Sequence, residues 1–323
     1  MQEIWSQLCI EHTQASSANR IESIQSLWSG YGEIFRVQLI PEELGTVVVK
    51  QVCPPQTNNH PRGWNTDLSA LRKFKSYDVE AHWYKEWSSQ CNNHCRVPQC
   101  LASIKKEKQS WLLLEDLDAS GFSRRHSTLK PEQAKACLHW LANFHARFMG
   151  HAPNGLWSTG TYWHLDTRPD EFNSMEEGVL KDSASRLDQL LENCEFKTLV
   201  HGDAKVANFC FSKDDKQVAA VDFQYIGGGC GMKDVAYFFG SCFNESECAR
   251  WIPALLDFYF EVLSNALADS AVNTKELEQE WRSLFAPAWT DFHRFLLGWM
   301  PGHKKIHSYT RELTEKALKE LNG

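Results

Sequence analysis

The residues that could do chemistry gather in one window. Thr198 to His201 and Val218 to Asp222 read as short apolar strands, and each delivers an acid near its carboxyl end. After the first come His201, Gly202, Asp203 and Lys205, with Asn208 five residues beyond Asp203; the second runs into Asp222, Phe223 and Gln224. Asp carboxylates and an Asn amide oxygen are hard ligands of the kind Mg2+ takes. A further Asp beside them can orient a hydroxyl and accept its proton. The set H-x-D-x-x-x-x-N followed by D-F suits phosphoryl transfer, which demands positioning and charge neutralisation more than covalent help. On this reading Asn208 and Asp222 hold metal, Asp203 is the base, and Lys205 offsets charge on the moving group. His-Gly-Asp is also a common turn, and Asp-Phe-Gln a plausible strand exit. The two together, fourteen residues apart between Asn208 and Asp222, make a site the better reading.

Such a site needs elements that bring it a nucleotide. A lysine on the α- and β-phosphates and an acid to hold that lysine are expected upstream. Gly45 to Cys53 is β-branched and apolar enough for a sheet strand, with Lys50 near its end. Residues 68–90 read as a helix in which Tyr77, Glu80, Tyr84 and Trp87 share one side. A carboxylate on that apolar face is costly unless paired, so Glu80 is the expected partner of Lys50. Asp78 and Glu86 point elsewhere and read as solvated charges. Ser29 to Val37 suits a hairpin whose tip, with Gly30 and Gly32, presents backbone N–H groups to phosphates, but Phe35 stands where G-x-G-x-x-G would want a third glycine. An ordinary hairpin turn fits that stretch equally well. Ser110 to Asp118 is an apolar strand ending in acids, as a hinge between lobes would be, with adenine met by backbone groups around Glu115, Asp116 and Leu117.

Together these residues resemble the aminoglycoside phosphotransferase and choline kinase superfamily of protein-kinase-like small-molecule kinases. Within it the chain is most similar to the ecdysteroid-kinase-like branch. His201-Gly202-Asp203, Asp222-Phe223-Gln224 and Leu114-Glu115-Asp116-Leu117 carry the resemblance, which spans residues 30–240. It implies an α+β, two-lobed fold, with a small β-rich nucleotide-binding lobe over residues 1–117 and a larger, mainly helical catalytic and acceptor-binding lobe over 118–323. It also implies ATP and Mg2+ as cofactors and a small-molecule hydroxyl as acceptor, with Asp203 as base, Asn208 and Asp222 on Mg2+, and Lys50 paired with Glu80. A protein substrate is disfavoured, because no Ala-Pro-Glu follows Asp222; Gly227 to Gly231 leads directly to Asp234, which suits a helix N-cap. The competing reading of another class is a catalytically silent nucleotide-binding module. A two-metal phosphatase would have no use for Lys50, Glu80 or the hinge.

Composition agrees. The 323 residues suit two lobes around a cleft, and 42% hydrophobic residues with 18 Phe and 13 Trp can fill a core. A formal charge of −7 gives no electrostatic reason to expect nucleic acid or an anionic membrane. There is no apolar run of membrane-spanning length, and the first twenty residues do not read as a secretory signal. Eleven scattered cysteines suit a reducing compartment, hence the cytoplasm. Cys91, His94, Cys95 and Cys100 lack the paired-knuckle spacing of structural zinc. In the second half, Glu132 to Phe148 is an amphipathic helix, with His139 and His145 on its surface or satisfied in the core. Residues 157–168 are irregular and aromatic, suiting a lid or a packed insertion. Helices follow over 249–268, 274–299 and 309–321, where Trp281, Trp289, Asp291, Phe292 and Trp299 are open to either core packing or acceptor contact.

Overall fold

The structure is a computed structural model that describes residues 3–27, 30–53 and 67–322. Its first half is a five-stranded antiparallel sheet with two helices. Helix α1 (Ile4–His12) leads into β1 (Ser17–Ser26), β2 (Gly32–Ile40) and β3 (Thr46–Val52); α2 (Asp67–His82) follows, then β4 (Cys100–Lys106) and β5 (Gln109–Glu115). The strand order is β1-β2-β3-β5-β4. The sequence suggests hairpin strands around Ile24 to Ile40, and the hairpin is longer than that, since β1 begins at Ser17.

Period-two alternation decides which side chains reach the cleft. Phe35, Val37, Val47, Val49, Trp111 and Leu113 turn to one face and pack under Trp5, Leu8 and Cys9 of α1. Ile34, Arg36, Val48, Lys50 and Leu114 turn to the other and line the cavity. The register Ile34↔Lys50↔Leu112 fixes this, because a slip by one residue would exchange the faces. Phe35 therefore belongs to the far face, edge-on to Trp5 at 5.4 Å, which is why glycine is not needed there.

The second half is mainly helical. Pro131 opens α3 (Pro131–Arg147), where its missing N–H costs nothing. Three short helices follow, α4 (Pro169–Asn173), α5 (Val179–Asp182) and α6 (Ala184–Glu192). Two small antiparallel ribbons carry the motif window: β6 (Thr198–Val200) with β9 (Gly227–Gly229), and β7 (Phe209–Phe211) with β8 (Val218–Ala220). Then come α7 (Met232–Cys242), α8 (Glu245–Ala266), α9 (Thr274–Trp299) and α10 (Ser308–Asn322). Helix α8 starts with a capping box between Asn244 and Glu247.

One large core joins the halves, running from Trp83 and Tyr84 through α3 to α7, α8 and α9. At its centre Phe223 is fully buried, stacked on Trp83 at 4.7 Å and edge-on to Tyr84 at 5.9 Å. The end of the helix that carries Glu80 is thus packed on the residue after Asp222. Residues 157–168 are a packed insertion: Trp157 and Trp163 are buried, the latter donating its indole N–H to Asp291 at 3.0 Å. Among the described residues no helix is long and apolar enough to cross a membrane.

Candidate active site

Lys50 and Glu80 meet as their spacing requires. Lys50 Nζ lies 2.8 Å from Glu80 Oε1 and 2.6 Å from Oε2, and 3.3 Å from Asp222 Oδ1. Both members of the pair are almost wholly buried. Burial alone would lower the Lys50 pKa, but the carboxylates of Glu80 and Asp222 outweigh it and hold the ammonium charged. Asp222 shows the converse: burial favours its neutral form, yet Lys50, Lys205 and Lys73, with a hydrogen bond from Gln224, keep it well below the usual carboxylate range. Its backbone is left-handed, φ 69°, a region few residues other than glycine, Asn and Asp adopt readily.

Asp203 is the second focus. Its Oδ2 accepts from Lys205 Nζ at 2.7 Å and from Asn208 Nδ2 at 3.1 Å, while Oδ1 is buried without a partner. A carboxylate oxygen left open in this way can accept a proton from a hydroxyl brought to it. Asn208 Nδ2 also donates to the Asp203 carbonyl at 2.8 Å, so its amide hydrogens are spent and its Oδ1 is the end left to ligate a cation. Asn208 Oδ1 and the Asp222 carboxylate form a donor set that fits Mg2+.

The loop bearing Asp203 is held from beneath. Asp234 Oδ2 accepts the His201 N–H at 2.6 Å and Oδ1 the Gly202 N–H at 2.9 Å, while His145 Nε2 lies 3.2 Å from Oδ2 and its Nδ1 2.7 Å from the Tyr259 hydroxyl. The N-cap expected of Asp234 is corrected: Gly231 occupies that position, and Asp234, in the first turn of α7, spends its carboxylate on the loop instead. His145 is a satisfied core residue. His201 Nε2 meets the Val221 carbonyl at 3.0 Å, joining the two halves of the motif window. Gly202 has φ 79°, and a Cβ there would stand 2.0 Å from the Tyr225 carbonyl oxygen, so only glycine fits between His201 and Asp203.

These groups line one cavity of about 740 Å3, together with Glu115, Asp116, Leu117 and Asp118. The hinge side chains are committed elsewhere. Glu115 pairs with Arg96 and accepts the Gln99 N–H at 2.9 Å; Asp116 accepts from Arg36 Nε at 2.6 Å and from Thr46 Oγ1 at 2.6 Å. Part of the hinge backbone is committed too: the Glu115 N–H donates to the Gln99 carbonyl at 2.9 Å, and the Asp116 and Leu117 carbonyls accept from the N–H groups of Ser120 and Phe122. Gly30 and Gly32 do not line the cavity; Tyr31 between them does, and Ser29 lies outside the described residues.

The sequence reading missed several cavity residues. Gln224 donates to Asp222 Oδ1 at 2.6 Å and accepts from Lys73 Nζ at 3.1 Å and Ser76 Oγ at 3.2 Å, tying α2 to the second acid. Its place directly after Asp-Phe put it in the motif window but carried no sign of its partners on α2. Tyr162, Arg168, Tyr237, Phe295 and Lys305 also line the cavity, brought there by segments with no motif. Of the C-terminal residues left open, Phe292 and Trp299 face the cavity. Trp281, Trp289 and Asp291 are core: Trp281 donates to the Phe196 carbonyl, Trp289 to Thr310 Oγ1, and Asp291 pairs with Arg294. His164, Asp188 and Glu192 group ligand atoms within 4.8 Å of one another, but none of the three lines the cavity.

The sequence profile of the ecdysteroid kinase-like family matches residues 66–151 and 159–272, more than half of the chain. The chain belongs to this family. The ecdysteroid kinase-like family assignment bears out the resemblance carried by the His-Gly-Asp and Asp-Phe-Gln windows. Comparison with curated proteins gave no significant match. Among solved structures, an amicoumacin kinase in complex with AMP-PNP, Ca2+ and Ami is similar at TM-score 0.52 and 9% identity, over 92% of this chain and 87% of that one. A microcompartment-associated aminopropanol kinase is similar at TM-score 0.51 and 14% identity, over 98% and 93%. At such identities the likeness is one of fold, and it agrees with the two-lobed α+β architecture.

Proposed function

We propose that this protein is an ATP- and Mg2+-dependent phosphotransferase acting on a hydroxyl of a small molecule. The observation that carries the reading is Asp203, whose Oδ1 is buried and unpartnered while Oδ2 is fixed by Lys205 and Asn208. Residues 1–117 then form the nucleotide-binding lobe and 118–323 the lobe for catalysis and the acceptor. The backbone of Glu115 to Leu117 meets adenine, Gly30 and Gly32 help shape the hairpin over the phosphates, and Lys50, aligned by Glu80, contacts them. Asn208 and Asp222 hold Mg2+, which when bound supplies neutralising charge to the phosphate oxygens.

Asp203 Oδ1 orients the acceptor hydroxyl and takes its proton as the hydroxyl oxygen bonds to the γ-phosphorus. The bond from that phosphorus to the β–γ bridging oxygen breaks, and ADP leaves with the electron pair. Lys205 balances charge on the group in transit, its own pKa lowered by burial but raised on balance by Asp203 and Asp222. The eleven scattered cysteines support a reducing compartment, hence the cytoplasm.

The test is ATP consumption with Mg2+ across alcohols, amino alcohols, aminoglycosides and steroids, with Asp203→Ala as the blank. Acceptor-dependent turnover absent from Asp203→Ala, at nearly unchanged nucleotide affinity, is expected; Asp222→Ala is expected to weaken Mg2+-dependent nucleotide binding instead. Nucleotide binding without turnover on any acceptor would favour a silent regulatory module.

A further inference from the structure

The wall of the cavity beside Asp203 has an unusual charge balance. Its body is aromatic: Tyr162, Tyr237, Phe292, Phe295 and Trp299 line it. Two cations stand on those rings. Lys305, from the loop between α9 and α10, places Nζ 4.9 Å from the Tyr237 ring centre and 5.2 Å from that of Phe292. Arg168 lies 5.6 Å from Tyr162 and 5.5 Å from Phe295.

The carboxylates on this wall match only one of them. Asp203 is turned to Lys205 and Asn208, and Glu171, almost fully buried, is taken by Arg168 at 3.1 Å. Among the described residues no carboxylate forms an ion pair with Lys305; Asp203 acts on it only at longer range. Burial, with Lys205 and Lys304 adding to it and Asp203 opposing, lowers the Lys305 pKa to about 8. A half-buried ammonium set on ring faces without an ion-pair partner is stabilised by an anion and destabilised by a second cation.

Resting on the kinase reading, we propose that the acceptor is an alcohol with a flat apolar body and an anionic group, the rings packing the body and Lys305 holding the anion. Amine acceptors are disfavoured, since an ammonium would add to an uncompensated charge. The loop carrying Lys305 has no motif, so nothing in the sequence points to it.

The test uses three matched probes, 4-(hydroxymethyl)benzoate, 4-(hydroxymethyl)benzamide and 4-(hydroxymethyl)benzylamine, titrated calorimetrically into the full-length protein loaded with Mg2+ and AMP-PNP. The benzoate is expected to bind at least about tenfold more tightly than the benzylamine, the size of one charge-assisted contact. Lys305→Met is expected to reduce that ratio to about threefold or less, Lys305→Arg to keep it, and exposed Lys304→Met to leave it unchanged. AMP-PNP affinity should be the same in all four proteins. Three results overturn the proposal: a benzylamine that binds as well as the benzoate, no measurable binding by any probe at millimolar concentration, or a Lys305→Met protein whose loss falls on AMP-PNP. Failure of wild-type protein to bind AMP-PNP would sink the kinase reading itself, and is thereby distinguishable.

Discussion

At the scale of single residues, the site is built on charges that are expensive to bury alone. Lys50 and Glu80 are tolerable inside the fold only as a pair, and breaking such a pair leaves one charge uncompensated. Lys50→Met is expected to cost about 3 kcal/mol of stability by chemical denaturation. Lys50→Met combined with Glu80→Leu should recover most of that, because an apolar pair fills the space; on the kinase reading turnover stays lost, since that pair cannot hold phosphates. These two residues were legible in the sequence for the same physical reason, since a carboxylate on the apolar side of a helix demands a partner. Gln224 was not. Its role depends on where Lys73 and Ser76 sit on α2, and no spacing along the chain reports that.

At the scale of elements, the loop bearing Asp203 owes its shape to a carboxylate on another helix. Asp234 gathers the N–H groups of His201 and Gly202, both buried, and removing it leaves those donors unsatisfied. Asp234→Ala is expected to destabilise the fold by about 2 kcal/mol or more and to lower kcat with little change in nucleotide affinity, as thermal unfolding and steady-state kinetics would show. From sequence, an acid near the start of a helix reads as a cap. The structure gives it a longer-range duty because the loop arrives at that helix through the β6–β9 ribbon. In the second half α3, α8, α9 and α10 were legible to within a few residues, where apolar periodicity is strong, whereas the short helices α4, α5 and α6 were not. The start of β1 was not, because Ser17 to Ser26 is almost wholly exposed and carries no apolar alternation.

At the scale of the whole molecule, α9 and α10 meet across a buried histidine. His293 Nδ1 lies 2.8 Å from Thr314 Oγ1, and burial together with the charges of Arg311 and His307 lowers its pKa from 6.5 to about 4. The unfolded chain therefore takes up this proton first on acidification. The contribution of His293 to stability is full above pH 6.5 and drains away as pH falls toward 4, by about 3 kcal/mol in all. Urea titrations should show wild type losing that much relative to His293→Gln across this window; parallel curves would refute it. The two-lobed plan was readable from the ordered succession of lysine strand, acid helix, hinge and double motif. The aromatic wall beside Asp203 was not, being assembled from four segments that only the tertiary fold brings together. Phe223 is wedged against Trp83 just past the end of α2, and the same helix holds Lys50 through Glu80. On the kinase reading the alignment of that lysine is a property of the main core, so that whatever loosens the one loosens the other.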